Sequence, residues 1–201
     1  QGGAKYPYRG NVYGGGCGTD KYDSNNDGIK DAYNPLSGIV HGTATVVING
    51  GHVVRNLYGA GAMGSVDGLT TVTINGGTIG AENSGGGYVY AAARGDDTLT
   101  DDKQAYAGPT ALNINGGTIW GNAFGGGQAG IAKGSVTVNL AGGEVKGDVY
   151  GGGALAKTNT VTIDEGVYPA TNVTLSGTTI DGDLYGGGLG RLAVAGVAGK
   201  D

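Results

Sequence analysis

The sequence predicts an all-β fold in which short repeats stack as the coils of a parallel β-helix. The segment 110–130, TALNINGGTIWGNAFGGGQAG, recurs in varied form at 43–61, 70–87, 135–153 and 171–188. Within each repeat two aliphatic residues stand two positions apart, which places both on one face of a strand. A repeat of about 20 residues cannot bury its apolar face alone, so stacked repeats must share a core. The 47 glycines follow no Gly-X-Y period, which excludes collagen.

Each repeat is predicted to contain three short strands. The inward pairs of the first strand are Val46 and Ile48, Val72 and Ile74, Leu112 and Ile114, Val138 and Leu140, and Val173 and Leu175. The second strand contributes Val53, Ile79, Ile119, Val145 and Ile180, and the third Val12, Leu57, Asn83, Ala123, Val149 and Leu184. Asn49, Asn75 and Asn115 precede Gly-Gly, a combination that suits a corner with left-handed φ, which Asn and Gly tolerate best. An antiparallel sandwich or barrel would not explain why one column keeps one residue type.

The chain is interpreted as a single domain, 1–201, with five to six coils. Residues 10–16 form the last third of a first coil, after an arm at 1–9. Insertions are predicted at 17–38, 88–109 and 157–170, the last with an extra strand through Val161 and Ile163. Residues 191–201 alternate Leu192, Val194 and Val197, which suggests a strand-forming exchange arm.

Charge and composition exclude some partners. The formal net charge of −5 opposes nucleic acid or an anionic membrane as the main partner. No apolar run approaches the roughly 18 residues of a membrane span. The single Cys17 is either an unreactive small residue or an intermolecular link. Gln1 is interpreted as the start of a processed or excised region of an exported protein.

The INGGTI and VYGGG strings resemble the Gly-rich modules of large bacterial surface proteins, which are adhesin-like right-handed parallel β-helices. The resemblance implies a right-handed coil, an extracellular or cell-surface location, and a structural or adhesive role without catalysis. Because coil ends expose unpaired backbone, a rod of this kind is expected to stack on other coils.

Residues 23–31, DSNNDGIKD, match the opening of a calcium-binding loop. The predicted Ca2+ ligands are Asp23, Asn25, Asp27, the carbonyl of Ile29, Asp31 and Asn34. Asn34 stands where an EF-hand has glutamate, so the loop more closely resembles those of dockerins and thrombospondin type 3 repeats. A solvated Asx turn is the alternative. The acidic residues at 96, 97, 101 and 102 lack this spacing and are interpreted as a solvated loop.

An aromatic column precedes the glycine runs: Tyr13, Tyr58, Phe124, Tyr150 and Tyr185, with Ser84 as the exception. Alternation predicts that these side chains point outward. They either stack on one another and shield the core, or form a strip for a neighbouring subunit or sugar rings.

The preferred functional prediction is a rigid extracellular rod that assembles head to tail. Its predicted assembly ends are Asn11, Val12 and Tyr13 at one side and Leu192, Val194 and Val197 at the other. The partner is a second copy or neighbouring coils of a longer protein, with glycans as a further candidate. The alternative is a carbohydrate-binding or polysaccharide-cleaving β-helix. Arg55, Lys146 and Asp181 lie in different columns, which gives a lyase site little support.

Overall fold

The computed structural model describes residues 10–19, 22–30, 32 and 34–190, and almost all its regular structure is β. A 3-10 turn at Asp101–Lys103 is the one helical element among these residues. The strands are β1 (Val12–Tyr13), β2 (Ala44–Ile48), β3 (His52–Val53), β4 (Leu57–Tyr58), β5 (Thr70–Ile74), β6 (Thr78–Ile79), β7 (Val89–Tyr90), β8 (Tyr106–Ala107), β9 (Thr110–Ile119), β10 (Ala123–Phe124), β11 (Ile131–Ala132), β12 (Val136–Val145), β13 (Val149–Tyr150), β14 (Thr171–Leu175), β15 (Thr179–Ile180) and β16 (Leu184–Tyr185). We define repeat 1 as β2–β4, repeat 2 as β5–β7, repeat 3 as β9–β10, repeat 4 as β12–β13 and repeat 5 as β14–β16.

All named strands pair in parallel, and each pairs with the equivalent strand of the repeat before or after it. One sheet has the order β14-β12-β9-β5-β2, with β3, β6 and β15 attached. The predicted first-strand columns are confirmed, because Val72 pairs in register with Val46 and Leu112. The inward residues of repeats 2 to 4 are fully buried and form one core.

The third strands form a six-stranded sheet, β1-β4-β7-β10-β13-β16. Here the prediction for repeat 2 was wrong. Its third strand is Val89–Tyr90, whereas Asn83 lies in an exposed turn with a φ of 56°. In other repeats the third strand follows the second closely, and the extra residues after Ile79 delay it. Residues 88–93 therefore belong to the repeat, and the predicted insertion at 88–109 includes part of the core.

A fourth short strand position was not predicted. β8 pairs with β11, and isolated bridges join Val40 to Val66, Val66 to Ala107, and Ala132 to Thr158. The extra strand predicted through Val161 and Ile163 is absent from the described part of 157–170. Both side chains are more than half exposed, because no neighbouring strand gives their alternation a face to bury.

Glycines determine how closely the repeats approach one another. The left-handed corner conformation belongs to the second glycine of each pair, such as Gly77 at φ 88° and Gly117 at φ 82°, and not to the preceding asparagines. The asparagines instead form an amide ladder, in which Asn75 donates to Asn49 at 2.8 Å and Asn115 donates to Asn75 at 2.9 Å. The corners are therefore left-handed as predicted, and glycine occupies the left-handed position because it avoids the Cβ penalty.

Candidate functional site

The third-strand sheet carries an uninterrupted aromatic ladder. Six rings stack in order: Tyr13, Tyr58, Tyr90, Phe124, Tyr150 and Tyr185. Neighbouring ring centroids lie 4.8–5.0 Å apart with interplanar angles of 7–9°. This distance is close to the spacing of paired strands, so the ring positions follow from the backbone. Tyr90 occupies the place that the sequence reading gave to Ser84, and the predicted exception was wrong.

The inner ladder rings are buried, although they point away from the main core. Tyr58, Tyr90, Phe124 and Tyr150 are between 1% and 5% exposed. With Ala154, and with Tyr88 and Leu155 packed against it, they form a second apolar cluster. Burial raises the pKa of Tyr58 to about 12, and its hydroxyl donates to Oε1 of Gln128 at 2.7 Å. The expectation of an exposed strip was therefore wrong for the inner rings, and the self-stacking alternative describes them.

Amides and acids beside the ladder join one repeat to the next. Oδ1 of Asn122 accepts the backbone N–H of Asp148 at 3.0 Å, and Oδ1 of Asp148 accepts that of Asp183 at 2.9 Å. Asp183 continues this column, and its Oδ2 accepts the Tyr185 hydroxyl at 3.0 Å. This hydrogen bond raises the pKa of Tyr185. Among the described residues, no following repeat offers an N–H to Asp183.

Repeat 5 has the residues of a core repeat but is exposed. Leu175 is 50% exposed and Leu184 41%, whereas their column neighbours Leu140 and Val149 are fully buried. The terminal ladder ring, Tyr185, is 45% exposed. These side chains lack a following repeat among the described residues.

The glycine columns are open at the same end. A Cβ built on Gly14, Gly59, Gly125 or Gly151 would lie 2.2–2.3 Å from a carbonyl oxygen of the following repeat. A Cβ on Gly186, which continues that column, would meet no described atom within 4 Å. At the opposite end, Gly50 is equally open, whereas a Cβ built on its column neighbours Gly116, Gly142 and Gly177 would lie 2.3–2.5 Å from a carbonyl oxygen of the preceding repeat. The glycines of these columns therefore serve mainly the packing of repeat on repeat.

The predicted assembly ends are described on one side only. Val12 pairs with Leu57, its N–H donates to the Asn56 carbonyl at 2.9 Å, and Asn11 Oδ1 accepts the Asn56 N–H at 3.1 Å. Leu192, Val194 and Val197 lie outside the described residues. Among the described residues, Val12 and Tyr13 thus form the outermost strand of the ladder sheet, and Asn11 directly precedes it.

The predicted calcium loop is an exposed turn held by its own side chains. Asp23 Oδ2 accepts the Gly28 N–H at 2.7 Å, and Asp27 Oδ1 accepts the Ile29 N–H at 2.8 Å. Asn25 Nδ2 donates to Asp27 Oδ2 at 2.9 Å, so three predicted ligands share one small loop. Asn34 Oδ1 accepts the Leu36 N–H instead, and Asp31 lies outside the described residues. Oxygen donors of this type suit Ca2+. No metal-holding group of three or more His, Cys, Asp or Glu side chains was found in the described ranges.

One ionic cluster lies on the second-strand face. Lys146 Nζ is 2.5 Å from Glu144 and 3.2 Å from Asp181, and 5.9 Å from the centre of the Trp120 ring. Lys146 and Asp181, predicted to lie in different columns, are therefore ion-paired neighbours. Because the lysine is already paired with two carboxylates, this cluster has the character of a structural surface network.

Comparison of the chain with protein-family models, with curated proteins and with solved structures finds no match. Over the described residues, no helix has the length and apolar character needed to cross a bilayer.

Proposed function

We propose that the chain is a right-handed parallel β-helix that works as a non-enzymatic structural rod at the cell surface and stacks end to end on further repeats. The observation that carries this proposal is the open glycine column at Gly186. Inside the chain this column holds only small residues, glycine or Ala91, and a Cβ built on its glycines would lie 2.2–2.3 Å from a carbonyl oxygen of the following repeat. Gly186 retains that feature although no described repeat follows it.

The two ends are complementary in direction. The open space beside Gly186 faces a following repeat, and the open space beside Gly50 faces a preceding one. Stacking one end on the other is a head-to-tail contact, which forms an open filament when it does not close into a ring. The contact would bury Leu175, Leu184 and Tyr185 and extend the parallel sheets by backbone hydrogen bonds.

The partner in this proposal is a second copy of the chain. β1 pairs with β4, the third strand of repeat 1, and so occupies the third-strand position of a preceding repeat. The first and second strands of that preceding repeat, which would pair with β2 and β3, must come from elsewhere to complete the joint. In repeats 3 and 4 these two strands form one segment of ten residues. Residues 191–201, with Leu192, Val194 and Val197, are the proposed donor of this segment. Neighbouring coils of a longer protein would satisfy the same ends.

Blocking variants test the proposal. Gly186→Trp and Gly50→Trp each place a large side chain in the stacking space of one end, where nothing in the described monomer opposes it. Ala111→Trp is the control, because Ala111 lies on the outward side of β9 between repeats 2 and 4. We expect filaments from the native chain and the control in electron micrographs, and monomers from each blocked variant.

A mixture of the two blocked variants sharpens the test. Each retains one free end, so the mixture should form dimers and nothing longer in sedimentation velocity. A native chain that stays monomeric at all protein and calcium concentrations would contradict the homopolymer and leave the longer-protein alternative. Deletion of 191–201 should abolish polymers if this segment completes the joint.

The proposed cofactor is Ca2+, bound in the loop at 23–34. Its role would be to neutralise Asp23 and Asp27 and to stiffen an exposed insertion. The hydrogen-bonded arrangement of Asp23, Asn25 and Asp27 supports this role.

A further inference from the structure

A second feature of the molecule is a cleft of about 410 Å3 along the fourth strand position. Its floor includes Ser65, Tyr106 and Ile131, which precede the paired residues Val66, Ala107 and Ala132. Gln104 lies beside the 3-10 turn on one wall, and Lys157 and Thr160 line the other. The volume falls in the range of small-ligand pockets, and the walls combine apolar surface with a few polar groups.

Lys133 is held in this cleft by an aromatic ring. Its Nζ lies 3.1 Å from the centre of the Tyr106 ring, a cation–π contact. In the fourth-strand column Gly108 lies in register between Asp67 and Lys133, and a Cβ built on it would clash with the Asp67 carbonyl oxygen. Tyr106 is itself fixed, because its hydroxyl donates to Asp67 Oδ1 at 2.6 Å and His41 Nδ1 lies 2.7 Å from Asp67 Oδ2.

The two lysines of the cleft differ in their partners. Lys157 Nζ lies 2.8 Å from Asp101 Oδ2, so its charge is paired. Lys133 has no carboxylate within salt-bridge distance among the described residues. Its partial burial lowers its pKa, although Asp67 opposes this change. A desolvated ammonium group without a carboxylate partner is an attractive position for an anion.

We propose that this cleft binds a hydroxylated carboxylate, of the sugar-acid class, with its carboxylate on Lys133. Ser65 and Thr160 offer hydroxyl groups for hydrogen bonds to the ligand hydroxyls, and Asp101 and Asp102, which also line the cleft, can accept hydrogen bonds from them. Ile131 and Tyr106 offer apolar surface for the C–H face of a ring. The site lies along the side of the repeats, so it does not depend on end-to-end assembly.

Titration calorimetry with D-glucuronate tests the proposal, with D-glucose and acetate as the comparison ligands. Glucose has the same ring without the carboxylate, and acetate has the carboxylate without the hydroxyls. We expect glucuronate to bind at least tenfold more tightly than either. Lys133→Met should weaken glucuronate binding at least tenfold, whereas Lys103→Met, in the 3-10 turn and not lining the cleft, should leave it unchanged.

Thr160→Tyr is a second variant. Thr160 is half-buried and lines the cleft, so the larger tyrosine side chain would occupy the cleft without changing any charge. It should also weaken glucuronate binding at least tenfold, with an unchanged melting temperature. Equal affinity for glucose and glucuronate, equal affinity for acetate, or full binding by a folded Lys133→Met or Thr160→Tyr protein would each overturn the assignment. An absence of glucuronate binding at tens of millimolar would overturn it as well.

Discussion

Repeats 4 and 5 have nearly the same sequence pattern and opposite environments. Leu140 of repeat 4 is fully buried, and its partner Leu175 of repeat 5 is half exposed. Tyr150 is 5% exposed, and the next ring, Tyr185, is 45% exposed. Gly151 lies against the carbonyl of Gly186, while Gly186 faces no described atom.

This difference shows what the repeat pattern encodes. An apolar column, an aromatic column and a close-approach glycine describe a repeat with neighbours on both sides. Repeat 4 has both neighbours within the described residues, and repeat 5 has one. The same substitution made at equivalent positions of an inner repeat and of repeat 5 should therefore separate the stability that a neighbouring repeat contributes from the stability that the residue itself contributes.

The largest expected effect is a charge in the buried first-strand column. Ile114 is fully buried between Ile74 and Leu140, so Ile114→Asp places an unpaired carboxylate in the core. We expect a loss of about 4–5 kcal/mol or more in the free energy of unfolding. Leu175→Asp in the exposed repeat should lose about 1 kcal/mol or less. Urea unfolding followed by circular dichroism measures both, and equal losses would show that the inward assignment is wrong.

The next effect concerns the glycine column. Gly151→Val would bring side-chain atoms against the Gly186 carbonyl and the side chain of Thr171, and should destabilise the monomer by about 1–3 kcal/mol through overpacking. The test uses valine and not alanine because Ala91 occupies the equivalent position of repeat 2, so this column already accommodates one methyl group. Gly186→Val should leave the melting temperature of the monomer unchanged. Comparable destabilisation by both variants would mean that the residues after Gly190 already occupy the open space.

The columns could be predicted from sequence because the residue period is fixed by strand geometry. The two-residue spacing predicted the inward pairs correctly. A shift of one residue would turn every side chain of the strand to the other face of the sheet, so the apolar pattern allows only one register. The aromatic ladder could also be predicted, apart from Tyr90. The segment between Ile79 and Val89 contains a Ser-Gly-Gly-Gly run that resembles the end of a repeat. Spacing alone therefore predicted Asn83 as the inward residue of the third strand.

Other features could not be predicted because they depend on neighbouring repeats. The fourth strand position is only one or two residues long in each repeat, too short for a period to show. Burial of the ladder depends on Leu155 and Gln128, which follow the glycine runs of repeats 4 and 3 and carry no aromatic or periodic signal. The Lys133 cleft combines residues from five separate segments of the chain, and no motif in the sequence links them.

A smaller effect is expected from the buried threonines at the start of the first strand. Thr110 Oγ1 donates to the Gly125 carbonyl at 2.6 Å inside the core, and Thr110→Val removes that bond with little change of shape. We expect a loss of about 1–2 kcal/mol in the free energy of unfolding. Thr171 Oγ1, in the exposed repeat, donates to Asn159 Oδ1, and Thr171→Val should lose about half as much. The reverse order in chemical denaturation would contradict the comparison of repeats.

The calcium loop should have still less effect on the repeats, because it is an exposed insertion. Asp23→Ala should abolish Ca2+ binding in calorimetry, whereas Asp101→Ala, in another acidic loop, should not. Neither should move the melting temperature of the repeats by more than about 2 °C, since surface changes are usually small. Chelation should expose residues 17–38 to protease while the repeats stay protected. A native chain that binds no Ca2+ at millimolar concentration would show that the motif is only a turn.

The smallest expected effect is the pH response of the calcium-free loop. Desolvation acts to raise the pKa of Asp23, but hydrogen bonds from the backbone N–H groups of Gly28, Asn26, Asp27 and Asn25 outweigh it, and the pKa lies below the ordinary 3.8. Because the folded pKa is the lower one, the loop is fully stabilised above pH 3.8 and loses this contribution as the pH falls through the folded pKa. The amide proton of Gly28, which is bonded to Asp23 Oδ2, should report this transition in an NMR titration, with a midpoint below 3.8. Asp23→Asn should remove the transition and leave the amides of the repeats unchanged. A midpoint at or above the ordinary value would mean that these hydrogen bonds do not hold the carboxylate in solution, and the loop would then lack the preorganised oxygen cluster on which the calcium proposal depends.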